Sequence, residues 1–290
     1  MTSYRCSVAA AEQPMAGTAA HDRGFLLIEH PGPWGRKALA ESRWLPDDVR
    51  TTLAARAEDA GVRVQLIRRP GATPRGDGFR VFLANTSPGA RWLAATVLED
   101  PAELLTLALG TLDAGAPEGF ALEDGPLFLV CTNGRRDVCC AERGRPIAAA
   151  LASAYPAETW ETTHLGGHRF AGALLTLPAG LSYGRVDPDS AVEIARASAS
   201  GHVVAPYLRG RTAYDGAVQA AEVELLDRLG LTAIDALALV ASEVVGAHTI
   251  VTFRHAGGEA SVRVTAIDEP PMRQSCADEV EKPSTAWRVD

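Results

Sequence analysis

A chain of 290 residues, 47% hydrophobic and 22% charged, has enough apolar material for a compact core and enough length for about two domains. Its net charge of −8, from 36 acidic and 28 basic residues, argues against a broad phosphate-neutralising surface, so nucleic acid is not an expected partner. No apolar run approaches the roughly 20 residues a membrane helix needs, and residues 1–20 lack the apolar centre of a signal peptide, so a cytoplasmic location away from the membrane is expected.

In chain order the first predicted strand covers residues 24–29, followed by the turn-rich His30-Pro31-Gly32-Pro33-Trp34-Gly35 and a short helical stretch near residues 37–42. A helix over 47–60 follows, its free amide protons expected to be met by Asp47 and Asp48. Strands at 62–68, 79–85 and 91–98 come next, then a helix from Pro101 to about residue 109. Residues 115–125, rich in Gly, Pro and acid, read as a linker. Beyond it lie a strand at 126–130, a helix capped near Asp137 with Pro146 inside it, strands at 159–163, 170–177 and 181–186, and a helix over 189–198. The last part is expected to hold helices at 214–229 and 233–245 and a hairpin of 249–254 with 260–265.

Both halves show the order strand, turn, helix, three strands, helix. The fold class is therefore read as α/β (α+β) with two thioredoxin-like units arising by internal duplication, plus a C-terminal helix pair and hairpin. The corresponding domains are residues 1–114, without ligands, residues 115–200, which hold the chemistry, and residues 201–290. Phe25-Leu26-Leu27-Ile28 in the first unit occupies the place of Leu127-Phe128-Leu129-Val130 in the second.

The five cysteines are Cys6, Cys131, Cys139, Cys140 and Cys276, an odd number in a chain with a core large enough to do without disulfides. Cys131 ends an apolar strand, and Cys139 and Cys140 open a helix, so all three belong to the carboxyl edge of a sheet, where active-site loops gather. The helix amino terminus with Arg135 and Arg136 favours thiolate, the form that binds metal. His164 and His168 flank Gly166-Gly167, which makes a loop a better reading than a helix. Such a loop passes beside the cysteine turn, so the imidazoles can face the thiols. Cys6 and Cys276 read as ordinary thiols, small buried hydrophobes, and His21, His30, His202, His248 and His255 as surface or satisfied core residues.

Two soft and two imidazole ligands suit zinc or an iron-sulfur cluster. Eight residues lie between Cys131 and Cys140, wider than the usual zinc spacing, while Rieske centres show that two His can replace two Cys on a [2Fe-2S] cluster. Iron is favoured, with zinc still open.

At these residues the sequence resembles the sucrase/ferredoxin-like family, whose members carry a thioredoxin-like ferredoxin domain with two cysteines separated by eight residues and then His-x-Gly-Gly-His. Cys131, Cys140, His164, Gly166, Gly167 and His168 match that pattern, and the resemblance runs over roughly residues 23–186. It implies a bis-histidine [2Fe-2S] cluster on Cys131, Cys140, His164 and His168, and electron transfer or redox response with a redox partner protein the resemblance does not name. The vicinal Cys139 is the fallback for Cys140. The family name also implies sucrose hydrolysis, for which no pair of catalytic carboxylates is identifiable. The reading favours an electron carrier over a catalyst. Its rivals are a thiol-disulfide oxidoreductase using the clustered cysteines and a zinc-stabilised binding module.

Overall fold

The computed structural model describes residues 4–71 and 78–290. Strand β1 (Gly24–Glu29) and strand β2 (Val62–Arg68) pair in parallel, joined by helix α2 (Asp47–Asp59). A short helix, α1 (Cys6–Ala9), precedes them. β3 (Phe79–Asn85) pairs antiparallel with β1, β4 (Trp92–Leu98) with β3, and β5 (Ala121–Leu122) with β4. In the next half, β6 (Leu127–Cys131) and β7 (Thr159–Thr162) are parallel partners joined by α3 (Val138–Ala154), while β8 (Leu174–Leu177) lies antiparallel to β6 and β9 (Leu181–Tyr183) to β8. Helix α4 (Pro188–Ala199) then leads to β10 (Leu208–Arg211), which pairs with β9.

These strands form one sheet in the order β10-β9-β8-β6-β7-β2-β1-β3-β4-β5. The halves repeat one local order, β2-β1-β3-β4 and β7-β6-β8-β9, and meet edge to edge where β2 pairs antiparallel with β7. The shared order establishes a common topology, not a common origin. At the seam Arg68 Nε donates to Glu161 Oε2 at 2.6 Å.

β1 and β6 are apolar without alternation because both faces are covered. Leu26 and Ile28 pack with Val49, Leu53 and Ala57 of α2. Phe128 and Val130 pack with Ile147 and Leu151 of α3 and Ile194 of α4. The opposite faces share a single core in which Phe25, Leu27 and Phe82 join Leu129, Cys131, Cys140 and Trp160. Phe82 and Trp160 meet edge to face at 5.6 Å, so this apolar layer continues across the seam between the two halves.

Several expected elements differ. Asp47 and Asp48 lie inside the first turn of α2, after Pro46, and cap nothing with their side chains; Asp47 pairs with Arg50 at 2.7 Å instead. The helix expected from Pro101 is two 3-10 segments, Pro101–Thr106 and Leu109–Ala114, the first opened by an Asp100–Glu103 capping box. The stretch read as a linker contains β5. The expected strand at 170–177 begins only at Leu174, because His168–Phe170 form a 3-10 turn.

The largest correction falls in the C-terminal part. Helix α5 (Gly216–Arg228) is present, but residues read as a second helix form β11 (Ala238–Val245). β11 joins β12 (His248–His255), β13 (Gly258–Met272) and β14 (Lys282–Val289) in a separate antiparallel sheet. The C-terminal helix pair is thus one helix and a strand. Ala-Leu richness favours a helix locally, and pairing with β12 along the strand overrides that preference. Val251, Phe253, Val262 and Val264 cover α5 through Val218 and Leu225. Among the described residues no helix is long and apolar enough to cross a membrane.

Candidate metal centre

Cys131 is the last residue of β6, and its backbone N–H donates to the Ala173 carbonyl at 3.1 Å. Six residues later the Asp137 side chain accepts from the Cys139 N–H at 2.9 Å and starts α3, which puts Cys140 in the first turn. One turn further, Gly144 allows α3 to lie against the end of β6: a Cβ there would stand 2.1 Å from the Cys131 carbonyl oxygen. Pro146 sits inside α3, which continues unbroken to Ala154.

His164 follows β7 and His168 opens the 3-10 turn His168–Phe170. Between them Gly166 and Gly167 have φ of 93° and 64°, a backbone that side chains resist. The first half of the protein grips this loop. Arg63 Nη2 and Gln65 Nε2, both on β2, donate to the His164 carbonyl at 3.0 and 3.3 Å. Arg209 on β10 donates to the Gly166 carbonyl at 3.0 Å and to the Thr18 hydroxyl and carbonyl.

Ligand atoms of Cys131, Cys140 and His164 lie within 4.8 Å of one another. His168 Nδ1 stands 3.2 Å from His164 Nε2, with the rings 4.8 Å apart. Three of the four residues expected from the sequence, Cys131, Cys140 and His164, therefore form one group, and His168 adjoins it through His164. The thiol side is dry, with Cys131 1% and Cys140 2% exposed, while both imidazoles are half-buried. His164 Nδ1 is buried without a hydrogen-bond partner. A buried imidazole with an unpaired nitrogen, on a residue grouped with two thiols, is one whose hydrogen-bonding deficit a soft metal can satisfy.

The electrostatics agree. The Cys140 thiol, donating to Cys131, holds the Cys131 sulfur well below the usual thiol range against the opposing effect of burial, and His164 assists. Cys140 is raised correspondingly by that same bond and by burial. Burial, followed by the charge of His164, lowers His168 to about 4, so its imidazole is neutral near pH 7, as a metal ligand must be. Arg209, fully enclosed, is lowered to about 9 by burial and then by Arg169 and Arg63.

The structure also separates the vicinal pair. Cys140 faces Cys131 and His164, whereas Cys139 belongs to a second group with Cys6, Asp137 and Cys276. Cys6 and Cys276, read from the sequence as ordinary thiols, are in fact together: their sulfurs lie 3.6 Å apart. Nothing in their spacing signals this, since 270 positions separate them. Arg63, Gln65 and Arg209 were also missed; as arginine or glutamine on short strands they look like any solvated residue. Of the arginines expected near the site, Arg135 is exposed and Arg136 is half-buried; Arg169, next to His168, donates to Gln13 and Gln274.

Fold and site together define a mixed α/β protein with a cysteine-histidine group able to hold a metal. The Sucrase/ferredoxin-like family matches residues 15–210, well over half of the chain, and the chain belongs to that family. The match extends past the motifs on both sides and takes in Thr18 and Arg209, which brace the histidine loop. No curated protein and no solved structure matched the chain.

Proposed function

We propose that the protein is a one-electron carrier or redox-responsive protein holding a [2Fe-2S] cluster on Cys131, Cys140, His164 and His168. The observation that carries this reading is the convergence of two buried thiols and one ring nitrogen of His164 within 4.8 Å of one another, with His168 alongside. When bound, such a cluster takes up and releases single electrons, at a potential that neutral imidazoles raise above that of an all-cysteine site.

This chain's residues divide the remaining tasks. The dry cysteine side excludes water, and the half-buried imidazole side is the route by which an electron reaches the surface. Arg209, enclosed behind the loop with no carboxylate in ion-pair contact among the described residues, offsets the negative charge that reduction adds. Arg135 and Arg136, beside the same edge, offer a docking surface for an acidic redox partner in the cytoplasm. Residues 115–200 form the cluster-bearing unit in this reading, residues 1–114 its scaffold, and residues 201–290 its outer cover.

Anaerobic purification with iron and sulfide analysis and an electron paramagnetic resonance spectrum after dithionite reduction tests the proposal. Two irons, two sulfides and a reduced-cluster signal per chain are expected, and all should vanish in Cys140→Ser. Zinc in place of iron at these four residues, or a metal-free protein that reduces insulin disulfides, would overturn it.

A further inference from the structure

Next to the first group along α3, at Cys139, three thiols and a carboxylate from three parts of the chain meet. Cys139 Sγ lies 3.3 Å from Cys276 Sγ, Cys276 Sγ 3.6 Å from Cys6 Sγ, and Cys6 Sγ 3.6 Å from Asp137 Oδ1. All four ligand atoms fall within 4.8 Å of one another. Cys6, Cys139 and Asp137 are 0%, 1% and 3% exposed. We propose that Cys6, Cys139, Cys276 and Asp137 form a structural zinc site, separate from the cluster and independent of that reading.

The donor set and its spacing support zinc. Three thiolates and one carboxylate complete a four-coordinate shell, and closed shells of this kind are typical of structural sites. Zinc-sulfur bonds of about 2.3 Å in a tetrahedron place sulfurs about 3.8 Å apart, close to the separations observed. A disulfide between Cys139 and Cys276 would use two of the three thiols and leave Cys6 enclosed beside a carboxylate, whereas a metal engages every member. Binding moves no electrons: the three thiols release their protons to solvent and form three zinc-sulfur bonds.

The arrangement is also anchored for the purpose. Asp137 accepts from the backbone of Cys139 and Cys276 and from the Ser275 hydroxyl at 2.8 to 2.9 Å, which fixes the Cys276 loop, between β13 and β14, on the start of α3. The guanidinium of Arg169 lies within electrostatic reach of Cys6, and that of Arg5, itself ion-paired with Glu142 at 2.7 Å, within reach of Cys139 and Cys276. The ion would tie α1, α3 and the β13–β14 loop together, and thus both ends of the chain to the helix that carries Cys140. The same terminal segments supply Gln13 and Gln274 to Arg169, next to His168.

Zinc and iron are to be counted by mass spectrometry in the same preparations of wild type, Cys276→Ser and Cys131→Ser. One zinc per chain is expected in wild type. Cys276→Ser should lose it and keep the iron, and Cys131→Ser should lose the iron and keep the zinc. Zinc-edge X-ray absorption on the unaltered holoprotein needs no variant, and should show three sulfurs near 2.3 Å with one oxygen. A wild-type protein without zinc, zinc that disappears in Cys131→Ser while surviving in Cys276→Ser, a nitrogen-rich zinc shell, or a Cys139–Cys276 disulfide in peptide mapping would overturn the assignment.

Discussion

After its first strand the N-terminal half turns through Pro33 and Trp34, whereas the C-terminal half, at the same position of the same strand order, turns through the segment from Cys131 to Cys140. In the first turn Trp34 is 5% exposed in the local core, with the Arg68 guanidinium 4.3 Å above its ring. In the second, small thiols take the place of bulk, and the space they leave collects His164. The two turns touch, Asn133 Nδ2 donating to the Gly35 carbonyl at 3.2 Å. One topology thus provides a packing corner and a corner of thiols and imidazoles able to hold a metal, and the first half holds the histidine loop of the second through Arg63 and Gln65.

The comparison is sharpest if the halves fail differently. Trp34→Ala should cost about 3 to 5 kcal/mol in denaturant unfolding while iron per chain stays unchanged; equal loss of iron and stability would mean the first turn is part of the metal site. His30, 1% exposed beside that turn, is the next lever. Its Nδ1 accepts from the Gly32 N–H at 2.9 Å and its Nε2 meets the Ser42 hydroxyl at 2.7 Å, so it is enclosed as the neutral form. Burial lowers it from 6.5 to about 4. Between those values the unfolded chain binds more protons than the folded one, so stability rises with pH. The His30 contribution is complete above pH 6.5 and lost as pH falls toward 4, amounting to about 3 kcal/mol at most. Unfolding measured at pH 7.5 and 4.5 should show a smaller pH difference in His30→Gln; an unchanged difference refutes the assignment.

Gly144→Ala should cost about 1 to 3 kcal/mol and lower bound iron, because the added methyl forces α3 away from Cys131. Full iron occupancy in that variant would show that the approach of α3 is not needed. The smallest effect on the site is expected from Gln65→Leu, which removes one donor to the His164 carbonyl and the acceptor of the buried Thr163 and Thr162 hydroxyls, about 1 to 3 kcal/mol of stability. A shift in the reduced-cluster spectrum without loss of iron is the anticipated signature. A spectrum identical to wild type would free the first half of any positioning role.

Local patterns made the large sheet legible. The apolar runs at β1 and β6, the breaks at Gly and Pro, and the Asp137 cap each depend on neighbouring residues, and the strands at 24–29, 62–68 and 79–85 fall where expected. The second C-terminal helix was misread because β11 is an edge strand whose sequence carries little alternation, and only its partner β12 holds it extended. The cysteine and histidine quartet was visible because its members sit in two compact motifs.

By itself, then, the sequence determined the paired strand-helix-strand order and the two motifs that bring thiols and imidazoles to one sheet edge, since both arise from contacts short in sequence. The spacing of the cysteine motif also put Cys140 ahead of Cys139, and the fold groups Cys140 with His164. Tertiary structure alone decided that Arg209 and Arg63 hold the histidine loop, and that Cys6 and Cys276 join Cys139 and Asp137. Those contacts depend on how segments as much as 270 positions apart come to rest against one another, and no local pattern encodes that.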